Sequence, residues 1–200
     1  MAKKGYCDKT DIVNYNLTEI DASFDTQIDE WIEVAEGIID KETERSFIAD
    51  STASARWFDG SGQEEMVVDE NVDITEVLVY DSNGDLQYTM AEGVDFEIYP
   101  YNNFPIRKLI LKYTSSMLFL KGTRNVKITA KWGYSTAVPA QIKFAATVLA
   151  SLIMNFSNES DGEIKSETIG EYSVSYREDK QQDVEKVKEI IGNFTKHDVV

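Results

Sequence analysis

Residues 126–153 read VKITAKWGYSTAVPAQIKFAATVLASLI, and two periods meet inside them. Val126, Ile128 and Ala130 alternate with polar neighbours, the two-residue period of a half-buried strand. Past Gly133 and Pro139, Ile142, Ala146, Leu149, Ile153 and Phe156 recur at three- and four-residue steps, with Ala145 and Leu152 beside them. That spacing predicts a buried helix, and Pro139 suits its first turn. The stretch closes a β region and reopens a helical one.

Upstream, the β pattern reaches back to residue 54. ARWF (55–58) leads into DGSG (59–62), a turn signal, and then EMVVDE (65–70). ITEVLVYDSNGDLQYTM (74–90) holds two β-prone runs around Asn83-Gly84, the pair favoured in tight hairpins. VDFEIY (94–99) alternates Val94, Phe96 and Ile98 on one face, and RKLILKY (107–113) continues the pattern. An antiparallel sheet of about five to seven short strands is expected.

Both flanks are helical. Phe24, Ile28, Trp31, Ile32, Ala35, Ile38 and Ile39 form an apolar stripe, after a short helix expected around residues 8–14. A last helix runs from about Asp179 with Val184, Val187, Ile191 and Phe194 on one stripe. Ahead of it lies EIKSETIGEYSVSY (163–176), a polar ribbon in which Tyr172, Val174 and Tyr176 alternate with Ser173 and Ser175. The fold class is α+β, a small helical bundle with an inserted antiparallel β-sheet region. The blocks are 1–53, 54–135 and 136–200.

A formal net charge of −16 argues against wrapping nucleic acid, which needs clustered Lys and Arg. Such a charge suits a solvated surface, a surface that repels sliding DNA, or a mimic of DNA. The single cysteine, Cys7, excludes an internal disulfide framework and suits a reducing compartment. FAATVLASLIM (144–154) is too short to cross a membrane, and no signal-peptide pattern opens the chain, so folding in a cytoplasm is expected.

The search for chemistry returns little. His197, the one histidine, stands near the C-terminus and rules out most His-based triads and multi-His metal sites. DGSG lacks the Gly-Lys-Ser/Thr ending of a phosphate loop. Asp81, Asn83, Asp85 and Glu92 match positions one, three, five and twelve of a calcium-binding EF-hand loop. Leu86 stands where that loop needs glycine, and a hairpin explains the same residues without an ion. Trp31, Trp57 and Trp132 lie in apolar-patterned segments and read as core. No catalytic residue, no metal site and no cofactor are expected.

Four places resemble the phage head–tail connector family, the gp6-like head-completion or adaptor proteins of tailed phages. They are DEWIEVAEGIIDKETERSF (29–47), ARWFDGSGQEEMVVD (55–69), the stretch 126–153, and IKSETIGEYSVSY (164–176) followed by a final helix. The resemblance implies a structural virion protein at the head–tail interface, assembled in the host cytoplasm. It implies a homo-oligomeric ring, about twelve subunits, beneath the portal protein. Such a ring extends the channel for viral DNA, which passes without specific binding, and docks the next head-completion or tail protein. By the same resemblance the final helix, with Val184, Val187, Ile191 and Phe194, contacts the portal. A chain cut before Asp179 is then expected to fold but not bind it. A ring needs heterologous interfaces, and a ribbon with spaced tyrosines suits one, so Ile169, Gly170, Tyr172, Val174 and Tyr176 are the expected contact residues. The alternative reading is an acidic interaction module, an inhibitor that mimics DNA.

Overall fold

In the computed structural model, which describes residues 4–158, 164–169, 171–177 and 180–196, the apolar stripes at the two ends of the chain share one core. The outer helical segments, 1–47 and 138–200, form one unit, and residues 48–137 form a second. The architecture is α+β.

The helical unit contains α1 (Lys9–Asn16), a short 3₁₀ turn (Ala22–Phe24), α2 (Asp25–Thr43), α3 (Ala140–Asn158), the hairpin strands β7 (Ile164–Ile169) and β8 (Tyr172–Arg177), and α4 (Gln181–Phe194). α3 touches α1, α2, α4 and β8. Its Ile142, Ala145, Ala146, Val148, Leu149, Ala150 and Leu152 are all buried, as suits a helix apolar on most sides. α2 contributes Ile28, Ile32, Ala35, Ile38 and Ile39, and α4 contributes Val184, Val187, Ile190 and Ile191. α1 starts on a reciprocal cap. The Asp8 carboxylate accepts the Asp11 amide and Asp11 accepts the Asp8 amide, each at 3.0 Å. The Asp11 N–H holds the Asp8 carboxyl below its ordinary range.

The stripe on α2 is narrower than its sequence implied. Phe24 ends the 3₁₀ turn ahead of the helix and is 38% exposed, and Trp31 is half-buried at the stripe's margin. Ile153 is likewise half-buried, and the Phe156 side chain lies outside the described residues.

The second unit is one sheet of six antiparallel strands: β1 (Ser54–Gly60), β2 (Glu65–Tyr80), β3 (Leu86–Met90), β4 (Phe96–Tyr99), β5 (Ile106–Leu111) and β6 (Gly122–Trp132). The order is β1-β6-β2-β5-β4, with β3 paired to β2. EMVVDE and ITEVLVY are not separate strands but one strand of 16 residues. Its first part pairs with β5, its later part with β6 and β3, and its register shifts near Asn71 and Ile74. Such bulges bend a strand, which lets one long β2 serve two halves of a twisted sheet. Val77, Val79, Leu109, Phe96, Phe119, Val126 and Ile128 lie at the centre of its core. Val94 departs from expectation, standing in a turn at 67% exposure. There Gly93 has a φ of 76° and the Val94 and Asp95 amides both bond the Ala91 carbonyl, so the strand starts only at Phe96.

The DGSG turn is pinned by a buried amide. Asn125 accepts the Gly60 N–H at 2.8 Å and donates to the Leu120 carbonyl at 2.8 Å and the Tyr80 carbonyl at 3.2 Å. A Cβ on Gly60 would fall 1.8 Å from the Leu120 oxygen. Gly60→Ala is therefore expected to cost about 2 kcal/mol, because the backbone must move to admit the methyl. Urea denaturation checks this, and an unchanged midpoint would contradict it.

Candidate functional site

The groups that sequence brought forward for chemistry are committed to structure. The Asp81 carboxylate accepts the Asn83 and Asp85 amides, at 2.8 and 3.0 Å, and the Gln87 side chain. With Gly84 at a φ of 85°, these residues build the β2–β3 hairpin turn between two strands. Among the described residues no cluster of His, Cys, Asp or Glu could hold a metal ion. Cys7 is buried, and His197 lies outside the described residues.

The ribbon is a hairpin in which Ile169 pairs with Tyr172, Glu167 with Val174 and Lys165 with Tyr176. Ile169 is buried in the helical unit, while the Ser166 and Ser173 hydroxyls meet at 2.7 Å on the exposed side. Gly170 and the side chains of Val174 and Tyr176 lie outside the described residues. Tyr172 is half-buried, with the Lys41 ammonium 5.1 Å from its ring centre. Lys41 also pairs with Glu171, which draws the Glu171 carboxyl below its ordinary range and raises the Lys41 ammonium. The Glu171 amide reaches the Glu42 carboxylate at 3.1 Å. These contacts fasten the turn of the ribbon to α2.

The stripe on α4 does not face outward. Val184, Val187 and Ile191 are buried, and Phe194 packs edge-on against Phe47 at 5.5 Å. Exposed residues lie on the opposite side: Gln182, Glu185, Glu189 and Asn193, while the Lys186 ammonium lies 4.8 Å from the centre of the Phe144 ring of α3.

Two surface features escaped the sequence reading. On the outer side of α2, Val34 is 52% exposed and Gly37 has no atom near its missing side chain. With Tyr172 they floor a shallow groove of about 590 Å³, rimmed by Glu33, Asp40 and Lys41. On the sheet, Trp57 is 43% exposed rather than core, its ring 5.4 Å from that of Tyr80. A groove of about 480 Å³ opens there, with Lys121, Thr123, Arg124 and Asn125 on its other wall. An aromatic on an edge strand, opposite a lysine in register, was the available signal.

A deeply placed carboxylate missed by sequence is Glu36, 2% exposed on α2. One carboxylate oxygen accepts the Gly5 and Tyr6 amides, both at 2.7 Å, and the other accepts the Lys4 amide at 2.6 Å. Tyr6 donates its hydroxyl to Asp40 and accepts the Phe47 amide at 2.8 Å. Burial, reinforced by Asp40, pushes the phenol far above its ordinary pKa. This arrangement anchors the segment from Lys4 to Tyr6 on α2.

No protein-family model and no curated protein matches the chain. Among solved structures it is similar to a chain in the neck of an empty gene transfer agent (GTA) particle computed with C6 symmetry. That likeness covers 100% of this chain and 95% of the other, with a TM-score of 0.57 and 13% identity. A chain in the neck of the native GTA particle, computed with C12 symmetry, gives 0.53 at 13% identity over 100% and 94%. A chain in the virion of the native particle gives 0.51 at 16% identity over 88% and 80%. At these identities the likeness is one of fold, and it spans both units.

Proposed function

We propose that this protein is a structural component of the neck of a tailed particle, a head–tail connector that forms a ring beneath the portal. The observation that carries the reading is the likeness of fold to neck chains over 100% of this chain and 95% and 94% of those chains. Symmetries of C6 and C12 in those necks support a ring, since cyclic assemblies repeat one heterologous contact. The charge supports a conduit, because copies of a −16 chain around a channel repel phosphates and let DNA slide. The pinned turns and the carboxylates committed to them fit a building block.

Measuring mass in solution, with and without portal protein, and imaging by negative stain test the reading. The expected result is a closed ring, alone or on the portal. A chain that neither self-associates nor binds portal or capsid would overturn it.

A further inference from the structure

The β unit is acidic overall, yet its cations divide into two groups. Arg56, Arg107, Lys108, Lys112 and Lys131 each lie against a carboxylate. The side chains of Lys121, Arg124 and Lys127 make no ion pair among the described residues, although the Arg124 amide donates to the Asp59 carboxylate at 2.7 Å. Lys121, just before β6, and Arg124 line the groove that holds Trp57 and Tyr80, and Lys127 stands opposite Trp57 in register. Trp57 and Leu78 both stand opposite Lys127, on the face turned away from Val77, Val79, Val126 and Ile128. The surface therefore presents an exposed indole beside three cations, with Asp81, held by its own hairpin turn, as the one carboxylate lining the groove. Its complement is an apolar notch ringed by carboxylates.

The chain carries such a notch itself. The α2 groove has an apolar floor of Val34, Gly37 and Tyr172, with Glu33, Asp40 and Lys41 on its rim; Asp40 already holds Lys4 and Tyr6, and Lys41 is neutralised by Glu171, which leaves Glu33 to carry most of the rim's charge. Glu30, exposed, lies one turn before Val34. The helical unit holds 23 acidic against 12 basic residues, so a cationic surface is drawn to it.

We infer that the basic aromatic groove of one copy receives the acidic α2 face of the next copy. The two surfaces differ, so the contact is heterologous and repeats around a ring. The inference rests on the ring reading and assigns its interface. Trp57 supplies the buried anchor and the cations supply register and selectivity. A DNA duplex is the weaker occupant, since the −16 chain repels phosphate everywhere else.

Two reciprocal variants test it in the full chain. Lys121→Glu with Arg124→Glu makes the groove acidic, and Glu30→Lys with Glu33→Lys makes the α2 face basic. Each alone brings like charges together and is expected to weaken self-association by about tenfold or more, with little change in melting temperature. An equal mixture restores it, because every contact in an alternating ring then joins opposite charges. Native mass spectrometry reads the result, on the portal if the unaltered chain assembles only there.

Rings from each variant alone, or no restoration in the mixture, overturn the interface while leaving the ring. So does a duplex oligonucleotide that binds the unaltered chain and is lost with the groove variant while assembly persists. An unaltered chain that never assembles overturns the ring reading and the interface together.

Discussion

Cutting the chain before Asp179 is expected to unfold the helical unit, not merely to unseat a partner. The cut removes α4, whose Val184, Val187, Ile190 and Ile191 are all buried. Burying an aliphatic side chain of this size contributes about 1.5–3 kcal/mol, so the four together match most of a domain's typical stability of about 5–15 kcal/mol. The cut also removes the bond from the Lys196 amide to the Thr43 carbonyl at 3.0 Å, and it strips Phe47 of Phe194. Circular dichroism should show loss of most helix, and limited proteolysis should leave a fragment near residues 48–137, whose core is its own. A truncated chain that melts cooperatively with its full helix content would refute this. Glu185→Lys and Glu189→Lys, on the exposed side of α4, are expected to stay within about 0.5 kcal/mol of the unaltered chain. They are the better probes of portal contact.

Glu36→Ala is expected to destabilise the helical unit by about 3–4 kcal/mol. It leaves three backbone donors, those of Lys4, Gly5 and Tyr6, without their acceptor. Each buried unpaired group costs about 1–3 kcal/mol. The total is capped because the terminal segment can peel away into water, at the cost of undocking the Tyr6 ring from Phe47. Glu36→Gln should lose about half as much. Its carbonyl oxygen can keep the Gly5 and Tyr6 bonds, and only the Lys4 amide meets a donor instead of an acceptor. Thermal melts rank the three chains, and amide exchange at Gly5 and Tyr6 reports directly on the anchor. Equal melts, with those amides exchanging at free-chain rates in the unaltered protein, would overturn the prediction.

The contrast between these two helices explains what a sequence makes legible. Periodicity reports which side of an element is apolar, and so it located α2, α3, α4 and the alternation of Val126, Ile128 and Ala130. It does not report what covers an apolar stripe. Val184, Val187 and Ile191 look alike whether they meet a neighbouring protein or their own core, and here they meet their own core. Glu36 was visible as an inconsistency, a carboxylate four residues after Ile32 and three before Ile39 on a buried stripe. Its partners come from residues about 30 positions away, which no local pattern encodes. β2 was divided in two because the polar residues of its bulged middle break the two-residue period. Trp57 reads as core because its segment is apolar in pattern, whereas its edge strand leaves the outer face open to solvent.

Gly133 closes the β unit beside the place where it begins. Its missing side chain lets it lie against Ala49, where a Cβ would come within 2.5 Å of that residue's Cα. Ile48 bridges Ser135 in parallel, and the Ala49 amide reaches the Ser135 carbonyl at 2.9 Å. The first and last residues of the unit are thus buckled together within the unit itself. In evolutionary terms this makes it a cassette. A closure held within the unit lets its strands lengthen and its turns change without moving the two ends at which the chain enters and leaves it.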